Sequence, residues 1–319
     1  MTSVLNQAYF HDEAAAFEAL EAIMWPGGKP PCCPHCGIVG KTNKLAVQRS
    51  KPSKRNPNGK PVYGLWKCYA CRQQFTVRKD TIFEESRLEL HLWFQSAYLM
   101  CSSKKGVSAN QLHRTLGCTL KTAWFLAHRL REAMAEGRLD PFGSKGGPVE
   151  SDEVFLSRRR RKGDPPLHKQ PKMKVLTLID RDTGRARSTV LSDLTHGEIW
   201  NVVSKNVARE ARLMTDEARH YRFTGREFAS HETVNHGQEE YARGDVTTNT
   251  VEGYFSLFKK GMKAIYQHCD EKHLHRYLAE FDFRYNHRVA CGVDDVMRAA
   301  AVIKGASGKR LLYKDSLGA

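Results

Sequence analysis

Residues 148–157 read Pro-Val-Glu-Ser-Asp-Glu-Val-Phe-Leu-Ser. Apolar Val149, Val154, Phe155 and Leu156 flank alternating carboxylates, a pattern that predicts a β-strand carrying Asp152. Downstream, Val-Leu-Thr-Leu-Ile-Asp-Arg predicts a second strand, Asp-Thr-Gly a turn and Arg-Ala-Arg-Ser-Thr-Val-Leu a third strand. A helical stretch, His-Gly-Glu-Ile-Trp-Asn-Val-Val-Ser-Lys-Asn-Val, then leads into Ala-Arg-Leu-Met-Thr-Asp-Glu-Ala, an apolar run ending on Asp216. Three strands, a helix and a strand open a ribonuclease-H-like α/β fold. In such a sheet the first and fourth strands are neighbours, so Asp152 and Asp216 are expected side by side. Glu150 faces the same side of its strand as Asp152, and the pattern alone leaves either as the ligand.

A third acid belongs to a helix. In residues 248–263, Thr-Asn-Thr-Val-Glu-Gly-Tyr-Phe-Ser-Leu-Phe-Lys-Lys-Gly-Met-Lys, the apolar Val251, Phe255, Phe258 and Met262 recur at helical spacing and Ile265 continues the series. Asn249, Glu252, Ser256, Lys259 and Lys263 fall on the opposite stripe. Three carboxylates converging from different elements suit two divalent ions about 3.5 to 4 Å apart, the arrangement that activates an attacking oxygen and stabilises a leaving oxygen in phosphodiester chemistry. Mg²⁺ (or Mn²⁺), two per active site, fits hard oxygen ligands of this kind. Asp152 is expected to bridge the ions, with Asp216 on one and Glu252 on the other. Thirty-five residues, 217 to 251, separate the last two acids.

Lys and Arg outnumber Asp and Glu by 51 to 35, a net charge of +16 that favours phosphate-bearing partners. No apolar run approaches the roughly 20 residues of a membrane span, and the N-terminus lacks a signal-peptide pattern, so a cytoplasmic, nucleoid-associated location is expected. Four of the nine cysteines form two knuckles, Cys33-Pro-His-Cys36 and Cys68-Tyr-Ala-Cys71, which predict one structural Zn²⁺ per chain. The 31 residues between them, 37 to 67, read as a hairpin with a basic, turn-rich tip around Asn56 to Gly59.

The chain reads as a multidomain α+β protein. Residues 1–86 hold an N-terminal helix (11–24) and the zinc ribbon, and residues 87–145 a helical region. Residues 146–300 hold the ribonuclease-H-like domain and 301–319 a C-terminal tail. Within the helical region, two helices joined at Gly117 and Cys118 resemble a helix-turn-helix, whose second helix is expected to present Lys121, Thr122, His128, Arg129 and Arg131 to a major groove. Arg158, Arg159, Arg160, Arg161 and Lys162 follow the first acidic strand, and Lys259, Lys260 and Lys263 follow the third acid; both runs are expected to hold a DNA backbone. His236, before the Glu252 helix, is a further catalytic candidate. Arg288, at the end of an aromatic-rich helix, is expected to face DNA.

Several passages in combination resemble one family. Pro-Val-Glu-Ser-Asp-Glu-Val-Phe, Leu-Met-Thr-Asp-Glu-Ala, the segment from Val234 to Gly261 and Phe-Asp-Phe-Arg-Tyr-Asn-His-Arg look like bacterial insertion-sequence transposases of the Merlin-related group. Met-Trp-Pro-Gly-Gly, Cys-Pro-His-Cys-Gly, Lys-Cys-Tyr-Ala-Cys-Arg-Gln-Gln-Phe-Thr-Val and Thr-Ile-Phe-Glu-Glu-Ser look like that group's zinc ribbon, and the likeness runs over roughly residues 10 to 312. The resemblance implies a DDE nuclease and strand transferase that cuts double-stranded DNA at its element's terminal inverted repeats and joins the 3′ ends to target DNA. Synapsis of two ends makes a homodimer or larger assembly the expectation. The family's acids fall on Asp152, Asp216 and Glu252. Some relatives carry Asn in the third place, which makes Asn249, one helical turn before Glu252, an alternative or supporting ligand. Competing readings are a catalytically inactive, domesticated DNA-binding regulator and a host recombination nuclease of the same fold.

Overall fold

The computed structural model describes residues 3–54, 57–137, 140–157, 166, 172–267 and 269–313. Packing divides the chain into two compact units, residues 1–103 with 109–134 and 295–319, and residues 104–108 with 135–294. Residues 295–300, which the sequence reading assigned to the third domain, pack with the first unit.

The first unit opens with α1 (Glu13–Met24), started by the Asp12 side chain accepting the Ala15 amide at 2.8 Å. The ribbon follows with β1 (Thr42–Lys44), β2 (Gln48–Arg49), β3 (Pro61–Val62), β4 (Trp66–Cys68) and β5 (Gln74–Phe75). β1, β4 and β5 form an antiparallel sheet in that order, and β2 pairs β3 as the expected hairpin. Glu21 of α1 is buried and accepts from both Trp66 Nε1 (2.9 Å) and Lys44 Nζ (2.6 Å), which ties the ribbon to the helix without leaving an unpaired charge. The helical region is α2 (Leu90–Ser102), α3 (Ala109–Leu116) and α4 (Leu120–Met134). Gly117 supplies the positive φ (65°) that turns the chain between the last two.

The second unit is built on one five-stranded sheet. In chain order its elements are β6 (Pro148–Leu156), β7 (Met173–Asp180), β8 (Arg185–Leu191), α5 (His196–Asn206), β9 (Arg212–Asp216), α6 (Tyr221–Thr224) and β10 (Ser230–Val234). The short hairpin β11 (Ala242–Arg243) and β12 (Val246–Thr247) leads into α7 (Asn249–Gly261) and α8 (Glu271–Asn286). Strand order is β10-β9-β6-β7-β8, with β6, β7 and β8 antiparallel to one another and β6, β9 and β10 parallel. This is the expected ribonuclease-H-like arrangement, in which the first and fourth strands are neighbours.

Strand alternation divides the side chains between two faces. Val154, Val175, Ile179 and Ala186 pack under Val251, Tyr254, Phe258 and Phe281 of α7 and α8. Val149, Leu176, Leu178 and Leu213 pack on the other face with Ile199, Val203 and Tyr221. No helix among the described residues is long and apolar enough to cross a membrane.

Candidate active site

Register places the first two acids. β6 and β9 run parallel with Val149 opposite Leu213 and Glu150 opposite Met214. Carrying that ladder two residues further sets Asp152 beside Asp216. By alternation both side chains point to the face covered by α7. Asp152 Oδ1 accepts the Glu153 amide at 2.7 Å, and Asp216 Oδ1 accepts the Ala218 amide at 3.0 Å.

The third acid arrives with α7, whose amphipathic period is the one expected. Val251, Tyr254, Phe255 and Phe258 are buried, while Asn249, Glu252, Ser256, Lys259, Lys260 and Lys263 are exposed. Glu252 Oε1 accepts from Thr248 Oγ1 at 3.2 Å and lies 3.6 Å from His236 Nε2. The His236 turn is itself tethered to the end of β9, because Glu217 accepts the amides of His236 (3.1 Å) and Gly237 (3.2 Å).

Electrostatics mark these acids as one cluster. Burial, together with the negative charges of Glu153, Asp216 and Glu252, pushes the Asp152 carboxyl up to about 7. Asp216 is also raised, by burial first and then by Glu153 and Glu217, against the lowering effect of His220. Burial first, and the neighbouring carboxylates after it, disfavour the ionised Asp152, and a bound cation would offset both. Among the described residues only the four cysteines close into a ready-made cage of three or more ligands. Asp152, Asp216 and Glu252 do not form such a cage.

Glu150 is not a free ligand. Its side chain is fully buried, with one oxygen accepting from Arg181 Nε and the other accepting the Val251 amide at 2.9 Å. Arg181 also donates to the carbonyls of Asp245 (2.6 Å) and Thr247 (2.7 Å), which lead into α7. The Glu150–Arg181 pair thus clamps the start of the helix bearing Glu252 to the strand bearing Asp152. Sequence reasoning passed over Arg181, and its one signal is a basic residue at the end of an apolar strand. Equally unforeseen is the opposite face, where the Tyr221 hydroxyl bridges Ser151 and Glu153, and His220 lies 3.3 Å from Glu153. That group fixes the Ser151 and Glu153 side chains on the face away from α7.

In the ribbon, the four thiol sulfurs of Cys33, Cys36, Cys68 and Cys71 lie within 4.8 Å of one another. The Cys33–Cys71 and Cys36–Cys68 separations are 3.7 and 3.8 Å. Sulfurs at about 2.3 Å from a tetrahedral Zn²⁺ stand about 3.8 Å apart, so the cage fits that ion. Amides of Cys71 and Ala70 pull the Cys68 thiol down to about 7, against the effect of burial.

Three expectations need correction or limits. Arg129 and Arg131 are buried, as is His128. Arg129 donates to the carbonyls of Leu311 (3.1 Å) and Glu84 (3.2 Å), so the C-terminal half of α4 is a packing element and does not present these side chains to a groove. Its N-terminal end keeps Lys121 exposed and Thr122 half-buried. Arg288 donates to the carbonyls of Gly184 (2.6 Å) and Tyr285 (2.7 Å) and stacks on the Tyr285 ring, which makes it a brace. Arg158 to Arg161 and Lys162 lie outside the described residues.

Comparison with known proteins places both parts of the chain. Residues 145–286 match the ISXO2-like transposase domain, and residues 11–74 match the transposase zinc-ribbon domain. A ribonuclease-H-like transposase domain joined to a zinc ribbon defines the class of protein. In both parts the chain is similar to insertion-sequence transposases of this ISXO2-like kind. An uncharacterised protein in transposable element ISH50 of Halobacterium salinarum (strain ATCC 700922 / JCM 11081 / NRC-1) is 26% identical over 290 residues, covering 86% of this chain and 91% of the relative. A chain in the structure of a simian T-cell lymphotropic virus intasome in complex with PP2A regulatory subunit B56 gamma covers 54% of this chain and 67% of its own, at 13% identity and a TM-score of 0.28. That likeness is too slight to argue from.

Proposed function

We propose that this chain is a DDE-type transposase that cuts double-stranded DNA at the terminal inverted repeats of its element and joins the freed 3′ ends to target DNA. The observation that carries this reading is the parallel register of β6 and β9, continued to Asp152 and Asp216, with the Glu150 clamp bringing the Glu252 helix to the same face.

Two divalent ions, Mg²⁺ or Mn²⁺, would supply an activated oxygen and a stabilised leaving group. Asp152, Asp216 and Glu252 are the side chains that would hold them. Asn249, exposed at the start of α7, supports Glu252 from one helical turn away. His236, beside Glu252, is placed to orient a scissile phosphate. An oxygen of water or of a 3′-hydroxyl attacks phosphorus, and the bond from phosphorus to the departing 3′-oxygen breaks. Lys259 and Lys260, exposed on α7, Lys263, exposed just after it, and Arg158 to Lys162 neutralise the DNA backbone. The ribbon and the N-terminal end of α4, with Lys121, recognise the element end. Synapsis of two ends calls for a dimer or larger assembly in the nucleoid.

The test is incubation of the zinc-loaded chain with a labelled duplex carrying the inverted repeat that flanks its gene, with Mg²⁺ or Mn²⁺. Cut and joined strands are expected, and Asp152→Asn, Asp216→Asn and Glu252→Gln each abolish them while end binding persists. A chain that binds the end yet forms no product under any metal condition is the inactive regulator instead.

A further inference from the structure

Between the edge strand β10 and α7 the chain gathers around one imidazole, that of His236. Glu217, which follows Asp216 at the end of β9, accepts the His236 amide on one carboxylate oxygen (3.1 Å) and the Gly237 amide on the other (3.2 Å). The Tyr241 ring stands beside the imidazole, with centroids 5.5 Å apart and planes 31° from parallel. At the tip of the imidazole, Nε2 lies 3.6 Å from Glu252 Oε1 and 3.5 Å from Thr248 Oγ1. Asn235 closes the same turn, its side-chain oxygen accepting the Gln238 amide at 3.2 Å.

Both neighbours of His236 are anchored. Glu217 follows β9, a strand paired on both sides, by β6 and by β10. Tyr241 opens the β11–β12 hairpin, where Thr247 Oγ1 donates to the Tyr241 carbonyl (3.2 Å), Arg243 to the Thr233 carbonyl (3.0 Å) and Arg212 to the Asp245 carboxylate (2.8 Å). The Tyr241 side chain is 58% exposed, so packing in the core does not account for its place. Hydrogen bonds to an ionised carboxylate are about twice as strong as neutral ones, which makes Glu217 a firm anchor for the His236 backbone. An imidazole fixed in advance loses little freedom when a phosphate arrives, whereas a displacement of about 1 Å at a reacting centre can cost about 100-fold in rate. We propose that Glu217 and Tyr241 are positioning residues that act through His236, Glu217 fixing its backbone and Tyr241 its ring, so that the imidazole stands beside Glu252 before DNA binds. The proposal rests on the reading of His236 above as the group that orients the scissile phosphate. It makes the pair Asp216–Glu217 serve two arms of the site, the second acid directly and the histidine beside the third acid through two amides.

The experiment is a double-mutant cycle on the zinc-loaded full-length chain with two readouts. One is the rate of strand joining at saturating labelled element end. The other is carbethoxylation of each histidine by diethyl pyrocarbonate at fixed pH, read by mass spectrometry on protein free of DNA and divalent ions. Glu217→Ala and Tyr241→Ala are each expected to slow joining about tenfold and to speed modification of His236 about threefold, with the other histidines unchanged. Tyr241→Phe, which keeps the ring, restores both readouts, and Glu217→Gln, which keeps one acceptor, falls between Glu217→Ala and wild type. His236→Ala slows joining by the same order, and adding Glu217→Ala or Tyr241→Ala to it slows joining no further. Losses that multiply with that of His236→Ala, or unchanged His236 modification in both single variants, overturn the proposal and leave the transposase reading intact. A lowered melting temperature with every histidine reacting faster marks a merely structural role and overturns it too. If wild type joins nothing, the transposase reading falls, and the modification rates alone then decide whether the two residues hold the ring: faster at His236 upholds the hold, unchanged overturns it.

Discussion

The carboxylate of Glu150 accepts the backbone amide of Val251 at 2.9 Å, which joins the strand of the first acid to the helix of the third. The other oxygen is held by Arg181, so a fully buried charge is both paired and hydrogen-bonded. Removing the carboxylate leaves Arg181 without its partner and the Val251 amide without an acceptor. Glu150→Ala is therefore expected to cost about 3 kcal/mol in denaturant unfolding, the order seen when one member of a buried pair is deleted. Glu150→Gln keeps an acceptor for Val251 and is expected to cost roughly half as much while still slowing strand transfer. Equal stability of all three chains would show that the clamp is not structural.

The raised Asp152 carboxyl gives the magnesium-free protein a pH signature. Its folded value of about 7 lies above the ordinary 3.8. Across that window the folded chain keeps a proton that the unfolded chain has lost, so this group's contribution makes stability fall as pH rises from about 4 to about 7, and then level off. Asp152→Asn removes the effect. At pH 8 the variant is expected to be more stable than wild type by on the order of 1 to 2 kcal/mol, discounted for partial exposure, with no difference near pH 3.5. Thermal melts of zinc-loaded, magnesium-free protein at both pH values check the sign. The corollary is that Mn²⁺ affinity rises up to about pH 7 and flattens above it.

Zinc analysis should find one ion per chain. Chelation is expected to abolish amide protection in Thr42 to Phe75 first, because that ribbon has little apolar core beyond Trp66 and Phe75 to stand without its metal. Protection of β6 to β9 in the second unit should outlast it. Uniform loss over the whole chain would contradict a local structural role for the thiol cage.

Lys121 and Arg129 occupy the same helix and predict opposite phenotypes. Lys121→Ala is expected to weaken duplex binding and to lower the slope of log affinity against log salt by about one, with little loss of stability. Arg129→Ala removes two hydrogen bonds to backbone carbonyls, one of them buried, and should cost about 2 kcal/mol of stability. Its salt slope should stay that of wild type. A reduced slope in Arg129→Ala would return that residue to the DNA interface.

Much of this arrangement was legible because it follows simple periods. The order of strands and helix up to Asp216 announced the sheet, and the 3.6-residue period from Val251 to Met262 placed Glu252 on an exposed stripe. Two cysteine knuckles announced the metal cage. What escaped reading lay where one pattern serves two purposes. Strand parity puts Glu150 and Asp152 on the same face, and only the tertiary partners Arg181 and Val251 separate the structural acid from the candidate ligand. On α4, basic residues in the second helix of a helix-turn-helix pattern look like groove contacts, yet the helix is buried on most sides from Leu126 to Met134, and the guanidinium of Arg129 caps carbonyls far away in sequence. Nor did the apolar period reveal that α7 passes into a wider turn at Met262–Tyr266, since the same residues stay in register with either geometry.

The claim that Asp152, Asp216 and Glu252 surround one cation centre is tested most directly by replacing Mg²⁺ with Fe²⁺ and adding ascorbate, so that radicals formed at the bound ion cut the nearby backbone. Fragments are expected from cuts near all three acids, all suppressed by excess Mg²⁺ and all lost together in Asp152→Asn. Cuts near only one of them, or cuts elsewhere that persist in that variant, would contradict a shared centre.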